Sequence, residues 1–233
     1  MNEKQDNFNE LALIARRLGA AAFGVADVGR MKADGLKPPV EELMKYPYGV
    51  SVGFRLSDAL METLVNGPTT TYRYHYRQVN AHLDRIALEL CDAIQAKGYD
   101  AFPVPSSHIV DWEKNTGDLS HKWVAHYAGL GWFGLNNLLI NPKYGARMRY
   151  VTVMTDMPLI TGEPHKGSCE DCTDCISVCP ASAIKNSRDD FNLEACDAQL
   201  KIFRDKWKIG QQICGLCIKA CKGNAEGRSK KSK

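Results

Sequence analysis

Eight of the nine cysteines in this 233-residue chain lie in its last third, and their spacing could hold two iron–sulfur clusters. They form a C-x2-C-x2-C-x3-C-P run, then a lone cysteine, then a C-x2-C-x3-C group: Cys169, Cys172, Cys175, Cys179, Cys196, Cys214, Cys217 and Cys221. In bacterial runs of this type the fourth cysteine ligates the other cluster. The spacing therefore predicts two [4Fe–4S] clusters with four ligands each. The first cluster is assigned Cys169, Cys172, Cys175 and Cys221, and the second is assigned Cys179, Cys196, Cys214 and Cys217.

Two other uses of cysteine fit this pattern less well. Zinc sites use paired C-x2-C motifs, whereas a tight run that ends in proline is not a zinc-ribbon spacing. Disulfides need an oxidising compartment, but the N-terminal residues Met1–Asp6 are polar and lack the apolar stretch of a signal peptide. We therefore expect a cytoplasmic protein with reduced cysteines. The ninth cysteine, Cys91, falls in a helical pattern and is expected to be a small buried hydrophobe.

The composition is that of a globular protein, with 44% hydrophobic residues and a net charge of +3 at pH 7. Residues 222–233 carry five basic side chains against one acidic side chain, a net +4 that leaves about −1 for the rest of the chain. We expect residues 224–233 to form a disordered basic tail. No stretch approaches the roughly 20 apolar residues of a membrane span, so no membrane association is expected.

Helical and extended patterns alternate in the first two thirds of the chain. Apolar residues recur at helical spacing from Phe8 to Leu18, and a longer stripe runs from Tyr76 to Ile94 before Gly98. Further helices are predicted at 40–45 and 121–129, a loop at 67–71, and strands at 21–25, 49–56, 101–104 and 147–155. This alternation favours an α/β fold. We predict an α/β core over residues 1–160 and a double-cluster module over residues 161–223.

A glycine-rich block follows the predicted helix at 121–129. It reads A-G-L-G-W-F-G-L-N-N-L-L-I over residues 128–140 and contains Gly129, Gly131 and Gly134. Glycines this dense let the backbone approach another group closely. The G-x-G-x-x-G spacing is not a dinucleotide fingerprint, because a helix precedes it and a strand follows it, the reverse of the required order.

This block, followed by Tyr144-Gly145, by T-D-M-P-L at residues 155–159 and then by the eight cysteines, resembles the epoxyqueuosine reductase family. That family carries an A-G-L-G-W-x-G-x-N-x-L-L-I segment, a T-D-x-P-L segment and the same cysteine pattern in the same order. The resemblance implies a nitroreductase-like α/β core with a C-terminal module like that of bacterial ferredoxins. It also implies a cobalamin-dependent reductase whose two [4Fe–4S] clusters feed electrons to cobalt, with the reductive dehalogenases among its relatives.

By the same resemblance, the glycine-rich block would line a base-off cobalamin. The residues implicated are Gly129, Gly131, Trp132, Gly134 and Asn136. Trp132 could stack on the planar ring of the cofactor or anchor a domain interface. A flavin is the alternative cofactor, because nitroreductase-like cores bind flavins.

The chain departs from the family pattern in two ways that bear on the substrate. It ends soon after Cys221, without the family's C-terminal tRNA-reading helical repeats, and the D-S-x-P motif that supplies the family's proton donor is missing at its expected distance before residue 128. We therefore expect a short branch that acts on a small-molecule substrate or a corrinoid-protein partner rather than on tRNA. A low-potential donor of the ferredoxin or flavodoxin type would supply its electrons.

Three residues are candidates for the catalytic proton donor. Asp111 lies in the polar stretch before the glycine-rich block, although carboxylates are most often exposed or capping residues. His121 opens a predicted helix and could equally be a surface residue of its first turn. Tyr76 lies on the apolar stripe of the long helix and could equally be a core residue.

Two classes of function follow from these observations. One is an enzyme, a cluster-fed reductase that uses cobalamin, or in a variant a flavin, to reduce its own substrate. The other is an electron-transfer or corrinoid-reducing protein that acts on a partner and has no substrate of its own.

Overall fold

The computed structural model describes residues 2–111 and 116–223. Its contacts divide the chain into two compact units, and each unit is assembled from separate segments. The first unit comprises Met1–Phe54, Val79–Leu130 and Arg149–His165, and the second comprises Arg55–Gln78, Gly131–Met148 and Lys166–Lys233. The last boundary lies close to the predicted division at residue 160, but residues 55–78 and 131–148 group with the cysteine-rich segment rather than with the rest of the predicted core.

Helices and strands alternate along the chain. In chain order, the elements are α1 (Glu3–Arg17), β1 (Ala22–Asp27), α2 (Val28–Ala33), β2 (Tyr48–Arg55), α3 (Asp58–Glu62), α4 (Thr70–Gln95), β3 (Ala101–Val104), α5 (His121–Tyr127), β4 (Trp132–Phe133), β5 (Leu139–Ile140), β6 (Met148–Thr155), α6 (Asp174–Ser177), α7 (Leu193–Asp205) and α8 (Leu216–Ala220). A short 3-10 helix spans Glu41–Lys45. The fold is therefore α/β, as the alternating patterns predicted.

A four-stranded sheet forms the base of the first unit, with its strands in the order β1-β2-β6-β3. β1 pairs antiparallel with β2, so that Ala22 lies opposite Gly53, and β3 pairs antiparallel with β6. β3 lies at the edge of the sheet, where Pro103 can be tolerated because an edge strand has one side without ladder hydrogen bonds. The predicted edge strand at 101–104 is confirmed with both of its bounds.

Helices bury their apolar faces in the first unit. α1 carries Glu3 in its first turn and Arg17 in its last, which matches the helix dipole, and it buries Leu11 and Ala15 completely. A separate cluster joins residues of α2, α5 and β6, including Met31, Val124 and Met154, all at most 1% exposed.

The second unit contains the hairpin β4–β5 and the cysteine-bearing helices α6, α7 and α8. In the hairpin Trp132 lies opposite Ile140 and Phe133 opposite Leu139. Phe203 of α7 and Tyr72 of α4 are the largest fully buried side chains of this unit. A Cβ on Gly67 would lie 2.7 Å from the Phe203 ring, so a residue without a side chain is needed for this packing.

The structure corrects several predicted bounds. The predicted loop at 67–71 is wrong at its end, because α4 already begins at Thr70, where the Thr69 hydroxyl accepts a hydrogen bond of 3.0 Å from the Tyr72 amide. The helix predicted at 121–129 ends at Tyr127, and Gly129 follows in a left-handed conformation.

Two further expectations concern burial and membrane association. Cys91 is buried, as predicted, and burial raises the pKa of its thiol to about 12. Across residues 2–111 and 116–223, no helix combines the length and the hydrophobicity that crossing a bilayer requires. The predicted basic tail at 224–233 lies outside the described residues.

Candidate functional site

The four cysteines assigned to the first cluster line a single cavity in the second unit. Cys169 and Cys172 lie in the loop before α6, Cys175 lies in α6, and Cys221 directly follows α8. The same cavity is also lined by Trp132, Leu135, Asn136, Ile140, Asp174 and Gly223. The fold thus brings Cys221 to the same cavity as the three cysteines of the loop before α6 and of α6 itself, which lie more than 40 residues earlier in the chain.

The other four cysteines lie near one another in the same unit. Burial raises the pKa of Cys217 well above its ordinary value, and the thiols of Cys214, Cys196, Cys175 and Cys179 raise it further. Burial likewise raises the pKa of Cys196, with a further contribution from Cys179. α6, which carries Cys175, packs against α8, which carries Cys217, so the two groups of cysteines are adjacent.

The buried thiols are poor ligands until a cation is bound. Burial raises the pKa of Cys175 to about 12, to which Cys221, Cys169 and Cys172 also contribute, and burial raises the pKa of Cys214 to about 11. Such thiols are neutral at pH 7, whereas iron binds thiolates. A bound metal centre would remove their protons, because coordination deprotonates a ligating thiol. Two sets of four cysteines, of which Cys175 is buried and the other seven are partly exposed, match the ligand number of two [4Fe–4S] clusters.

A site for one metal ion is a different arrangement. Within the described ranges 2–111 and 116–223, no group of three or more His, Cys, Asp or Glu side chains is placed to hold a single ion. In a cuboidal cluster each cysteine binds a different iron, so the four thiols lie farther apart than the ligands of one ion.

Local hydrogen bonds position two thiols of the second group. The Asn192 side chain accepts a hydrogen bond of 2.9 Å from the Ala195 amide and so caps α7, which carries Cys196 in its first turn. The Sγ atom of Cys179 accepts a hydrogen bond of 3.3 Å from the Ala183 amide. Local backbone geometry therefore fixes where these sulfur atoms lie.

Two glycines hold the segment around Cys221 against the loop after β5. Gly145 has a φ of +61°, and a Cβ built on it would lie 2.3 Å from the Cys221 carbonyl oxygen and 2.4 Å from the Gly223 amide nitrogen. The Ala146 amide donates a hydrogen bond of 3.3 Å to that same carbonyl. Only a residue without a side chain permits this backbone approach, which sets the position of the fourth ligand of the first cluster.

Arg147 connects α8 to α3 within the second unit. Its guanidinium, whose side chain is 5% exposed, donates hydrogen bonds to Asp58 at 2.9 Å, to Glu62 at 2.7 Å and to the Lys219 carbonyl at 2.5 Å. The hydrogen bond with Arg147 is the main cause of the lowered pKa of Asp58 and of Glu62. The sequence reasoning missed the structural roles of Arg147 and Gly145 beside the cysteines, since a single arginine before a strand carries no pattern. In the sequence, Gly145 stood out only as part of the two-residue motif Tyr144-Gly145.

At the glycines of the block at 128–140, a side chain would clash with other atoms of this chain. A Cβ on Gly131 would lie 2.2 Å from the Ile140 carbonyl oxygen, and one on Gly134 would lie 2.6 Å from the Ile140 side chain. Gly129, in the first unit, would meet the Glu163 backbone at 3.0 Å. The close approach expected from the glycine density therefore occurs, but the approaching group is this chain's own backbone and Ile140. The cobalamin contact predicted for these glycines stays a prediction.

Trp132 and Asn136 lie at the cysteines. Both line the first-cluster cavity, and each is 4% exposed. A Cβ on Gly167 would lie 2.3 Å from the Trp132 ring, so the backbone at Gly167 packs on the indole. Trp132 also packs with Ile140 and Ala146, and Cys221 lies against this cluster.

The three predicted proton donors belong to different units. Asp111 and His121 lie in the first unit, and Tyr76 lies in the second. The His121 ring is hydrogen-bonded at both nitrogens, to the Thr152 hydroxyl at 2.9 Å and to the Pro105 carbonyl at 3.0 Å. Burial lowers its pKa to about 4, so the imidazole is neutral at pH 7. That protonation state makes His121 a weak candidate for delivering a proton.

The other two candidates have local structural roles. Asp111 forms an isolated bridge with Thr116, in which its amide donates a hydrogen bond of 3.2 Å to the Thr116 carbonyl. Tyr76 packs edge-on against Tyr72, with ring centroids 6.4 Å apart. Their catalytic roles stay predictions.

Curated relatives of the chain are reductases of two kinds. A tetrachloroethene reductive dehalogenase of Desulfitobacterium hafniense is 38% identical over 98 residues, which are 40% of this chain and 18% of that protein. An epoxyqueuosine reductase of Staphylococcus aureus is 33% identical over 118 residues, which are 47% of this chain and 31% of that protein. The matched segments thus span less than a third of either relative. No family model matches the chain.

Solved structures of both kinds share the fold. The catabolic reductive dehalogenase NpRdhA, in complex with 3-bromo-4-hydroxybenzoic acid, superposes with a TM-score of 0.75 at 20% identity, over 94% of this chain and 32% of the other. An epoxyqueuosine reductase with a tRNA-Tyr stem loop superposes with a TM-score of 0.64 at 22% identity, over 93% of this chain and 64% of the other. The resemblance inferred from the sequence motifs is therefore confirmed: the chain is a relative of the epoxyqueuosine reductases and of the reductive dehalogenases.

Proposed function

We propose that this chain is an iron–sulfur oxidoreductase in which two [4Fe–4S] clusters carry electrons to a bound cobalamin and from there to a substrate. The observation that carries the redox part is the cavity lined by Cys169, Cys172, Cys175 and Cys221. The second group of cysteines supports an electron path between two clusters, because α8, which carries Cys217, packs against α6, which carries Cys175. When bound, the clusters supply low-potential single electrons and a corrinoid supplies the cobalt centre at which a substrate is reduced.

The residues around the first cluster exclude water and hold its ligands. Trp132 and Ile140 cover the cavity with apolar surface, and Gly145 and Gly223 hold the Cys221 backbone in place. A dry environment favours the less charged, oxidised state of a cluster and so lowers its reduction potential. Low potential is what the reduction of cobalt to its most reduced state requires.

Support for cobalamin comes from the relatives. One structural neighbour, with a TM-score of 0.74 at 19% identity, is a reductive dehalogenase whose structure suggests a mechanism for B12-dependent dehalogenation. In the chain itself, Gly131 and Gly134 are accounted for by contacts with Ile140, so the glycine spacing does not by itself argue for a corrin ring. Cobalamin is therefore proposed as the cofactor on the strength of the relatives, and its contact with the glycine-rich block stays a prediction.

Titration with cobalamin tests the cofactor. We expect the anaerobically purified protein, with both clusters assembled, to bind cobalamin at micromolar concentration and to shift the visible bands of the corrinoid to the base-off form. A parallel titration with flavin mononucleotide should leave the spectrum equal to the sum of its parts. Binding of the flavin alone would support the flavin alternative, and binding of neither, with intact clusters, would support an electron-transfer protein that acts on a partner.

Turnover assays then separate the substrate classes. A halogenated phenol such as 3-bromo-4-hydroxybenzoic acid represents the small-molecule class, and an epoxyqueuosine-modified tRNA-Tyr stem loop represents the other relatives. We expect turnover with a small molecule and none with the stem loop. Reduction of the stem loop would overturn the small-molecule proposal and leave the electron path intact.

A further inference from the structure

The first-cluster cavity contains a buried hydrogen-bond donor that has no partner among residues 2–111 and 116–223. Asn136 lines this cavity together with the four cysteines and is 4% exposed. The Nδ2 atom of its side-chain amide is buried and has no hydrogen-bond partner within the described part of the chain. Buried polar groups in folded proteins are nearly always paired, so a donor in this state indicates a partner that the protein atoms do not supply.

The orientation of the amide is set by its other end. The Oδ1 atom of Asn136 accepts a hydrogen bond of 3.2 Å from the Leu138 amide in the turn between β4 and β5. An oxygen is required there because the Leu138 N–H is a donor, and the flip that would exchange the two ends would set two donors against each other. The N–H₂ end is therefore the end left for the cavity.

The groups that line the cavity limit what this donor can meet. Trp132, Leu135 and Ile140 offer it apolar surface, and the Asp174 side chain belongs to an exposed residue. The remaining lining consists mainly of the four cysteine sulfurs. With a cluster bound, those thiolates and the bridging sulfides would be the acceptors within the cavity, and both carry negative charge.

We propose that the Nδ2 atom of Asn136 donates a hydrogen bond to a sulfur atom of the first [4Fe–4S] cluster and so raises that cluster's reduction potential. This inference rests on the proposed function, since it requires that Cys169, Cys172, Cys175 and Cys221 hold a cluster. Reduction adds one electron to the cluster while the proton stays on the amide. The hydrogen bond strengthens as the sulfurs become more negative, so it stabilises the reduced state more than the oxidised state.

Replacement of the amide tests the proposal through the potential. Asn136→Leu keeps the approximate size of the side chain and removes the donor, and Asn136→Asp also keeps the acceptor for the Leu138 amide. We expect both variants to lower the reduced-to-oxidised ratio of the first cluster at a fixed ambient potential by roughly tenfold or more, which for a one-electron couple is about 59 mV. The measurement is a redox titration followed by electron paramagnetic resonance (EPR).

Two controls separate the hydrogen bond from other effects. Asn137→Asp places the same new charge on the adjacent residue, which has a φ of +56° that aspartate tolerates, and should shift the first cluster less than Asn136→Asp does. The second cluster of each variant is an internal control and should keep its potential. An Asn136→Leu protein with an intact first cluster and an unchanged potential would overturn the proposal.

A second measurement covers the case in which the Asn136 variants fail to assemble the first cluster. Electron–nuclear double resonance on the reduced wild-type protein, with ¹⁵N-labelled asparagine, should detect coupling between the cluster and one asparagine side-chain nitrogen. Absence of that coupling in a protein with both clusters would also overturn the role of Asn136. Absence of iron from the first cysteine group would instead overturn the proposed function itself, so the two failures are distinguishable.

Discussion

At the scale of single residues, the ligand assignment gives Cys217 of α8 and Cys221, which directly follows α8, to different clusters. Cys221 lines the first-cluster cavity with Cys169, Cys172 and Cys175, whereas the thiols that raise the pKa of Cys217 are those of Cys214, Cys196, Cys175 and Cys179. Two cysteines about one helical turn apart are therefore assigned to different groups, Cys217 to the second and Cys221 to the first. This crossing ties the C-terminal end of the described chain to the loop before α6.

The crossing predicts opposite effects for two alanine variants. Cys221→Ala should remove or convert the first cluster and leave the second, and Cys179→Ala should damage the second and leave the first. The EPR spectrum and the iron content of each variant, compared after anaerobic reconstitution, report which cluster is lost. If Cys221→Ala removed only the second cluster, the assignment of ligands would be wrong.

His121 provides a pH-dependent prediction. Its pKa in the folded protein, about 4, lies below the ordinary value of 6.5, chiefly because burial disfavours the charged ring and also because Arg149 is near. Between pH 6.5 and 4 the unfolded chain binds a proton that the folded chain does not, so this residue makes the folded protein less stable as the pH falls through that window and has no such effect above it.

The variant His121→Gln should flatten that dependence. A glutamine amide can still donate to the Pro105 carbonyl, but it does not titrate. We expect the apparent melting temperature of the wild type to fall more steeply between pH 6.5 and 5 than that of the variant, and the two curves to run parallel from pH 7 to 8. Parallel curves at all these pH values would show that His121 is not held neutral by folding.

At the scale of elements, the turn after β5 and the end of α8 form one structural unit around Cys221. Gly145 combines a left-handed backbone with packing so close that a Cβ built on it would lie 2.3 Å from the Cys221 carbonyl oxygen. The left-handed conformation alone would cost another residue about 1–2 kcal/mol. A side chain at position 145 would also clash with the Cys221 backbone and displace it.

Gly145→Ala should therefore lower the occupancy of the first cluster and leave the second occupied. A matched control is Gly35→Ala, because Gly35 has a φ of +82° but no atom within 4 Å of its built Cβ. Both variants carry the conformational cost, and only Gly145→Ala carries the clash. Equal cluster contents in the two variants, measured by iron and sulfide analysis, would contradict the role of Gly145.

Elements with a strong local pattern could be predicted from the sequence, and contacts between distant segments could not. The stripe from Tyr76 to Ile94 and the short run of β3 carry local patterns that predicted their structure. The cysteine spacing predicted that Cys169, Cys172, Cys175 and Cys221 belong together, and these four line one cavity. The roles of Gly145, Arg147 and the Asn136 amide depend on which segments meet in three dimensions. For Gly131 the sequence correctly indicated a close approach but not the approaching group, which is the Ile140 carbonyl.

At the scale of the whole molecule, both compact units are discontinuous in sequence. The cysteine segment from residue 166 onward groups with 55–78 and 131–148, so the proposed cluster module draws its supporting residues from three parts of the chain. A prediction from sequence places domain boundaries where the composition changes. Each domain predicted in this way is one continuous stretch of the chain. The core at 1–160 was predicted as one piece for this reason.

The comparison with the relatives does not determine the substrate. The matched segments cover 18% of the reductive dehalogenase and 31% of the epoxyqueuosine reductase. What the chain shares with the solved structures is the fold. Substrate choice is thus a question for the turnover assays described above.

Metal analysis of the anaerobically reconstituted wild-type protein tests the central claim most directly. Two complete sets of cysteine ligands predict about eight iron and about eight sulfide ions per chain, with a Mössbauer spectrum of [4Fe–4S] clusters alone. Cys91→Ser, at a buried cysteine outside both groups, should give the same content. Stoichiometric zinc without iron, or only half of the expected iron in a protein with all eight ligands, would contradict the account.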